Sequence, residues 1–208
     1  MNFRRFFLLM SVTVAASLSV AACSSNASHS SMTSSSEVTI PATATFNATD
    51  VGFAQGMIPH HAQAVEMADL ALEKSSNAEV VALAKQIKAA QNPEIQTMSG
   101  WLKAWGQNVP STDSMSSGSH DMSGMSGMMM DGMMSEADMK KLESSTGTAF
   151  DRLWLELMIQ HHEGAVRMSE DELKDGKQPE AKALAQSIVS SQQAEISTMK
   201  SLLTKLPN

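Results

Sequence analysis

Apolar residues recur at helical spacing in two separated parts of the chain. In the first, Ala54, Ile58, His61, Val65, Ala68 and Leu72 fall on one face of a helix. Asp50, in "NATD", sits where that helix would begin. "KSSNAE" (74–79) reads as a turn carrying a new cap. Val80, Leu83, Ala84, Ile87, Ile95, Met98 and Leu102 then trace the apolar face of a second helix. The second part repeats this pattern, with "KDGKQPE" (174–180) as its turn.

The repetition is literal. "MIPHHAQAVEM" (57–67) and "MIQHHEGAVRM" (158–168) agree at seven of eleven positions, at an offset of 101 residues. At the same offset, "EVVALAKQIKAAQNPEIQTM" (79–98) and "EAKALAQSIVSSQQAEISTM" (180–199) agree at ten of twenty, and no gap is needed. Asp50 matches Asp151. The chain therefore contains an internal duplication of a unit of about 55 residues. A lone helical hairpin cannot bury both of its faces. Two of them predict an all-α four-helix bundle with approximate twofold symmetry. Pro59 removes one backbone donor inside the first helix and is expected to kink it or free the Gln55 carbonyl. Gln160 stands in its place in the second copy, so the shared chemistry does not need it.

The expected organisation is a signal segment over 1–22, a tether over 23–46, a first hairpin over 47–105, a disordered Met-rich connector over 106–145 and a second hairpin over 146–208. The two hairpins form one domain. Arg4 and Arg5 precede an apolar run that is too short for a confident spanning helix. "VAAC" follows, which resembles a bacterial lipobox and predicts export with lipidation at Cys23. "RRFFL" bears a weak likeness to a twin-arginine export motif. The Ser/Thr-rich stretch at 24–46 reads as a flexible tether to the outer face of a cell membrane. A single Cys among 208 residues excludes an internal disulfide framework. The formal charge of −7 gives no indication of a nucleic-acid partner.

Methionine is the compositional outlier, at 18 residues. Many fall in the connector, where Met122, Met125 and Met128 form Met-x-x-Met-x-x-Met just after His120. The glycines interrupting this run argue against a core helix and for a segment that is disordered when alone. Thioethers are soft, neutral ligands that suit Cu(I) and do not select Mg, Ca or Mn. The connector is thus expected to bind copper or silver, with an oxidant sink as the competing role. On helix geometry, Met57, His60, Ala64 and Met67 share a stripe, while His61 joins the stripe of Ile58 and Val65. Met158, His161, Ala165 and Met168 repeat the first, and His162 lies beside Ile159 and Val166. Glu94 and Met98, and likewise Glu195 and Met199, are one-turn neighbours on the partner helices.

Imidazole with thioether points to copper, Cu(I) above Cu(II), with silver as an analogue. Histidine and methionine as ordinary core residues are the plain alternative. A di-iron carboxylate enzyme would need Glu-x-x-His motifs, and the residues three before His60, His61, His161 and His162 are Met57, Ile58, Met158 and Ile159. The zinc-protease pattern His-Glu-x-x-His is also absent. A non-catalytic metal binder is therefore expected ahead of a ferritin-like metal oxidase.

"MIPHHAQAVEMADLAL" and "MIQHHEGAVRMSEDEL" resemble the signature of the family catalogued as domain of unknown function 305. The resemblance covers about residues 47–208 apart from the connector. It implies an exported, ferritin-like four-helix bundle, with copper binding and copper tolerance in some members. It also implies candidate ligands at Met57, His60, His61, Met67, Met158, His161, His162 and Met168, to which spacing adds Met98 and Met199. The expected role is to buffer, sequester or transfer copper, with a copper-donor or acceptor protein as partner. Residues 115–134 are expected to capture Cu(I) weakly, because wrapping an ion orders the chain at roughly 1–2 kcal/mol per residue.

Overall fold

The computed structural model describes residues 40–112 and 131–207. These form α1 (Ala48–Lys74), α2 (Ala78–Ala104), α3 (Glu136–Ser144), α4 (Gly147–Asp175) and α5 (Pro179–Lys205), with no strand among the described residues. The fold is the expected all-α four-helix bundle. α1 and α2 make one hairpin and α4 and α5 the other. The halves meet mainly along α1 and α4, whereas α2 and α5 touch only lightly. Helices α1 and α4 therefore form the seam of the molecule, and both His-His pairs lie on them.

Helix starts follow from local chemistry. Asn47 caps α1 in a reciprocal capping box with Asp50, and Asn77 caps α2 by accepting from the N–H groups of Glu79 and Val80. Pro59 is buried within α1. Two expectations need correction. The last part of the connector is ordered, not disordered: Ser135 and Asp138 form a capping box that starts α3, and α3 buries Met139 and Leu142. The motif Ser-Glu-Ala-Asp is legible as a helix start, but the Met- and Gly-rich composition around it obscures it. The end of the tether is also not free chain. Ile40 and Phe46 pack on the core, Phe46 stacks on Trp105 at 4.6 Å, and Lys177 donates to the Ala44 carbonyl.

The core falls into two clusters. One holds Met67, Leu83, Ile87, Phe150, Trp154, Leu155, Met158 and Met199. The other holds Phe53, Met57, Ile58, Met98, Leu102 and Ile188. Trp154 is fully buried, and its indole Nε1 donates to the Met67 carbonyl at 2.8 Å, which ties α4 to α1.

A buried carboxylate pair joins the halves at one end. Asp50 accepts from the Asn47 N–H (2.6 Å) and from the N–H groups of Lys177 (3.0 Å) and Gln178 (2.8 Å), so one carboxylate serves the starts of both α1 and α5. The Glu172 carboxyl is buried beside it, and a Cβ on Gly176 would strike it. Burial first, then the adjacent Asp50 carboxylate, push Glu172 up to about 8, with Lys182 opposing. Glu172 therefore holds a proton at neutral pH in the folded state. The unfolded chain loses that proton near the ordinary value of 4.5, so stability falls as pH rises above it and levels off beyond about 8. Glu172→Gln keeps the size and polarity of the group beside Asp50 and removes the ionisation. Its melting temperature should fall less than the wild type's between pH 5 and 9, read by circular dichroism; parallel curves would refute this account.

Candidate metal centre

α1 is buried all round over Met57–His61, and on α4 Met158, His161 and His162 are buried. The two histidines of each pair face different neighbours. His60 meets His161 across the seam, with ring centroids 3.7 Å apart and planes tilted by 39°. His61 turns instead to its own hairpin, where its Nε2 lies 2.7 Å from the Glu94 carboxylate on α2. His162 does the same with Glu195 on α5, at 2.8 Å. Neighbouring rings within each pair are 6.4 and 6.5 Å apart. The order is Glu94, His61, His60, His161, His162, Glu195, which reads the same from either half.

Four-residue steps place the methionines. α1 and α2 run antiparallel across the short turn after Lys74. One turn back from His61 is Met57, and one turn on from Glu94 is Met98. With His61 bonded to Glu94, Met57 and Met98 come level with each other. Both are fully buried in the same core cluster. The second hairpin repeats this register with Met158 and Met199, both buried in the other cluster. Each hairpin thus assembles one imidazole, one carboxylate and two thioethers. Met67 is buried, but its repeat equivalent Met168 is half-buried and packs on the opposite cluster. The exchange of clusters follows the twofold, as for Met57 and Met158, and the two differ only in burial.

The inner histidines are electrically neutral. Desolvation, then the neighbouring rings of His61 and His162, lower His60 to about 3. Desolvation, then His60, holds His161 well below the ordinary imidazole range. No ring nitrogen of either residue has a hydrogen-bond partner, and neither does Nδ1 of His61 or His162. The Asp131 and His60 carbonyls lie toward the two inner rings and oppose the lowering, but they are not aligned as acceptors. An unsatisfied buried polar atom costs about 1–3 kcal/mol. Several at one point form a site with spare lone pairs and a reason to use them. Among the described residues, no three His, Cys, Asp or Glu side chains converge to hold an ion by themselves. Any ion bound here would draw on the thioethers as well.

A strap covers the inner pair. Residues Asp131–Met134 cross the seam, with Gly132 (φ 78°) seated on Gly164: a Cβ on Gly132 would lie 2.7 Å from the Gly164 Cα. Asp131 accepts from Arg167 through both oxygens. Gln63 donates to the Met134 carbonyl at 3.0 Å and accepts its N–H at 2.8 Å. Gln63 and Gly164 are equivalent positions in the repeat. They have diverged so that one ties the strap and the other makes room for it.

Sequence reasoning named the histidines and methionines but not Glu94 and Glu195 as part of the site, and not Gln63, Gly164 or the strap. It also missed Gln91 and Gln192, buried on the core stripes with unpartnered amide atoms. The available signal was a polar residue repeated at an apolar phase: Gln91 and Glu94 recur as Gln192 and Glu195 at the same offset. Val65, placed on the core stripe with His61, is only half-buried. Cys23, His120, Met122, Met125 and Met128 lie outside the described residues.

The family model for the domain of unknown function DUF305 matches residues 50–203. A DUF305 protein from Streptomyces coelicolor, described as secreted, is 36% identical, with a TM-score of 0.66 over 76% of this chain and 93% of its own. A DUF305 fragment from Deinococcus radiodurans is 35% identical, with a TM-score of 0.65 over 77% and 98%. CopM, solved in Cu(I)-bound form, is 31% identical, with a TM-score of 0.61 over 76% and 98%, and it has also been solved in Cu(II)- and Ag-bound forms. No curated protein matches. With the family model spanning both hairpins and relatives above 30% identity over most of the chain, the protein belongs to the DUF305 family.

Proposed function

We propose that this protein binds copper, chiefly as Cu(I), outside the cytoplasm. It buffers or sequesters the ion, or hands it on to another protein, and performs no catalysis. The observation that carries the reading is the row of four buried histidines with unpartnered nitrogens, flanked in each hairpin by two buried methionines. Imidazole with thioether is a donor set for Cu(I), and these fully buried side chains offer soft donors rather than the oxygens that hard ions require. The capture of copper and silver by CopM supports the same assignment. The relative described as secreted supports export, and the lipobox-like segment ending at Cys23 supports a lipid anchor. No helix among the described residues is long and apolar enough to cross a membrane. Copper tolerance would follow from holding the ion away from other ligands.

The test is anaerobic competition with a Cu(I) chelator. Replacing His60, His61, His161 and His162 by Ala should remove the tightest site. Deleting 115–130 should lower stoichiometry and leave that site. The cut stops at 130 and not at 134 because Asp131–Met134 are bonded to the bundle. If the deletion abolishes tight binding while the four-His variant keeps it, the bundle histidines are core residues and the reading fails.

A further inference from the structure

We propose that Glu94 and Glu195 are positioning residues that select which nitrogen of His61 and His162 meets the metal. This rests on the copper reading above. The histidines of the bundle fall into two classes. The inner two have no partner at either nitrogen, whereas each outer one has its Nε2 on a carboxylate and its Nδ1 buried without a partner.

A carboxylate can only accept, so the ring donates through Nε2–H. In a neutral imidazole this leaves the lone pair on Nδ1. The carboxylate thus fixes the tautomer, holds the ring plane and adds electron density to the donor atom. Glu195 is itself held, since Gln86 donates to its other oxygen at 3.3 Å. Among the described residues Glu94 shows no such second bond, and its side chain is 16% exposed, against 7% for Glu195. The two outer sites are therefore alike in donors and unequal in rigidity. The second hairpin holds its histidine more firmly and is the tighter of the two.

Long-range proton–nitrogen NMR on the 15N-labelled full chain tests this, with Ag(I) as a diamagnetic probe. In the apo protein, His61 and His162 should each show a protonated Nε2 and a bare Nδ1. Adding Ag(I) should move Nδ1 and leave Nε2 protonated. Glu94→Gln and Glu195→Gln should each weaken binding by about 10–100-fold with helicity unchanged, as for other partners of metal-bound histidine. The loss should be larger for Glu195. A bare Nε2 in the apo spectrum, coordination through Nε2, or unchanged affinity in both variants overturns the assignment while copper binding stands. If no histidine nitrogen responds to Ag(I), the copper reading fails, and the apo tautomers still decide whether the carboxylates set the ring.

Discussion

Replacing Met57, Met98, Met158 and Met199 together by Leu should leave the protein folded and lower its Cu(I) affinity on the order of 100-fold, which is about 2.7 kcal/mol. Leucine and methionine have nearly the same volume, and such swaps cost less than about 1.5 kcal/mol each even in a well-packed core. All four side chains are fully buried, so the change is made in packing and not at the surface. Only the sulfur lone pairs are lost. Because thioether is the donor that prefers Cu(I), binding of Cu(II) by the imidazoles should fall much less. Competition titrations in both oxidation states, with circular dichroism as the folding control, measure the contrast. An unchanged Cu(I) affinity in the folded variant would mean that these methionines are packing residues, and that the register pairing Met57 with Met98 carries no chemistry.

The largest effect on stability is expected at Trp154. Its side chain is fully buried between α4 and α1 and donates to the Met67 carbonyl. Trp154→Ala should cost about 3–5 kcal/mol through lost burial and the cavity left behind. For a chain of this size that lowers the melting temperature by roughly 6–20 °C. Urea denaturation followed by circular dichroism is the suitable measurement, since the substitution also removes a fluorophore. Trp101→Ala removes an indole of the same size that is only partly buried and packs at the edge of the other cluster. It should cost distinctly less. Equal losses would show that the seam between α1 and α4 has no special weight.

Helix phase, the hairpins and their duplication are all local or periodic properties, and they are legible in the residues. The spacing from Val80 to Leu102 shows which face of α2 is apolar. The gapless match at 101 residues shows that α4 and α5 repeat α1 and α2. The same spacing marks Met57, His60 and His61 as inward or near-inward. It says nothing of which neighbour each one meets, because periodicity measures angle about a helix's own axis and not the position of a second axis. That His60 finds His161 while His61 finds Glu94 follows from α1 packing on α2 along one side and on α4 along another. Asp50 shows the same division. It is readable as a cap for α1, yet its bonds to Lys177 and Gln178 and its closeness to Glu172 join segments more than 120 residues apart, as only packing can do. The strap is the clearest case. Gln63 and Gly164 occupy equivalent places in the repeat, and an exact twofold would treat them alike. A single segment crossing the seam cannot obey that symmetry, so one position became a tether and the other a gap.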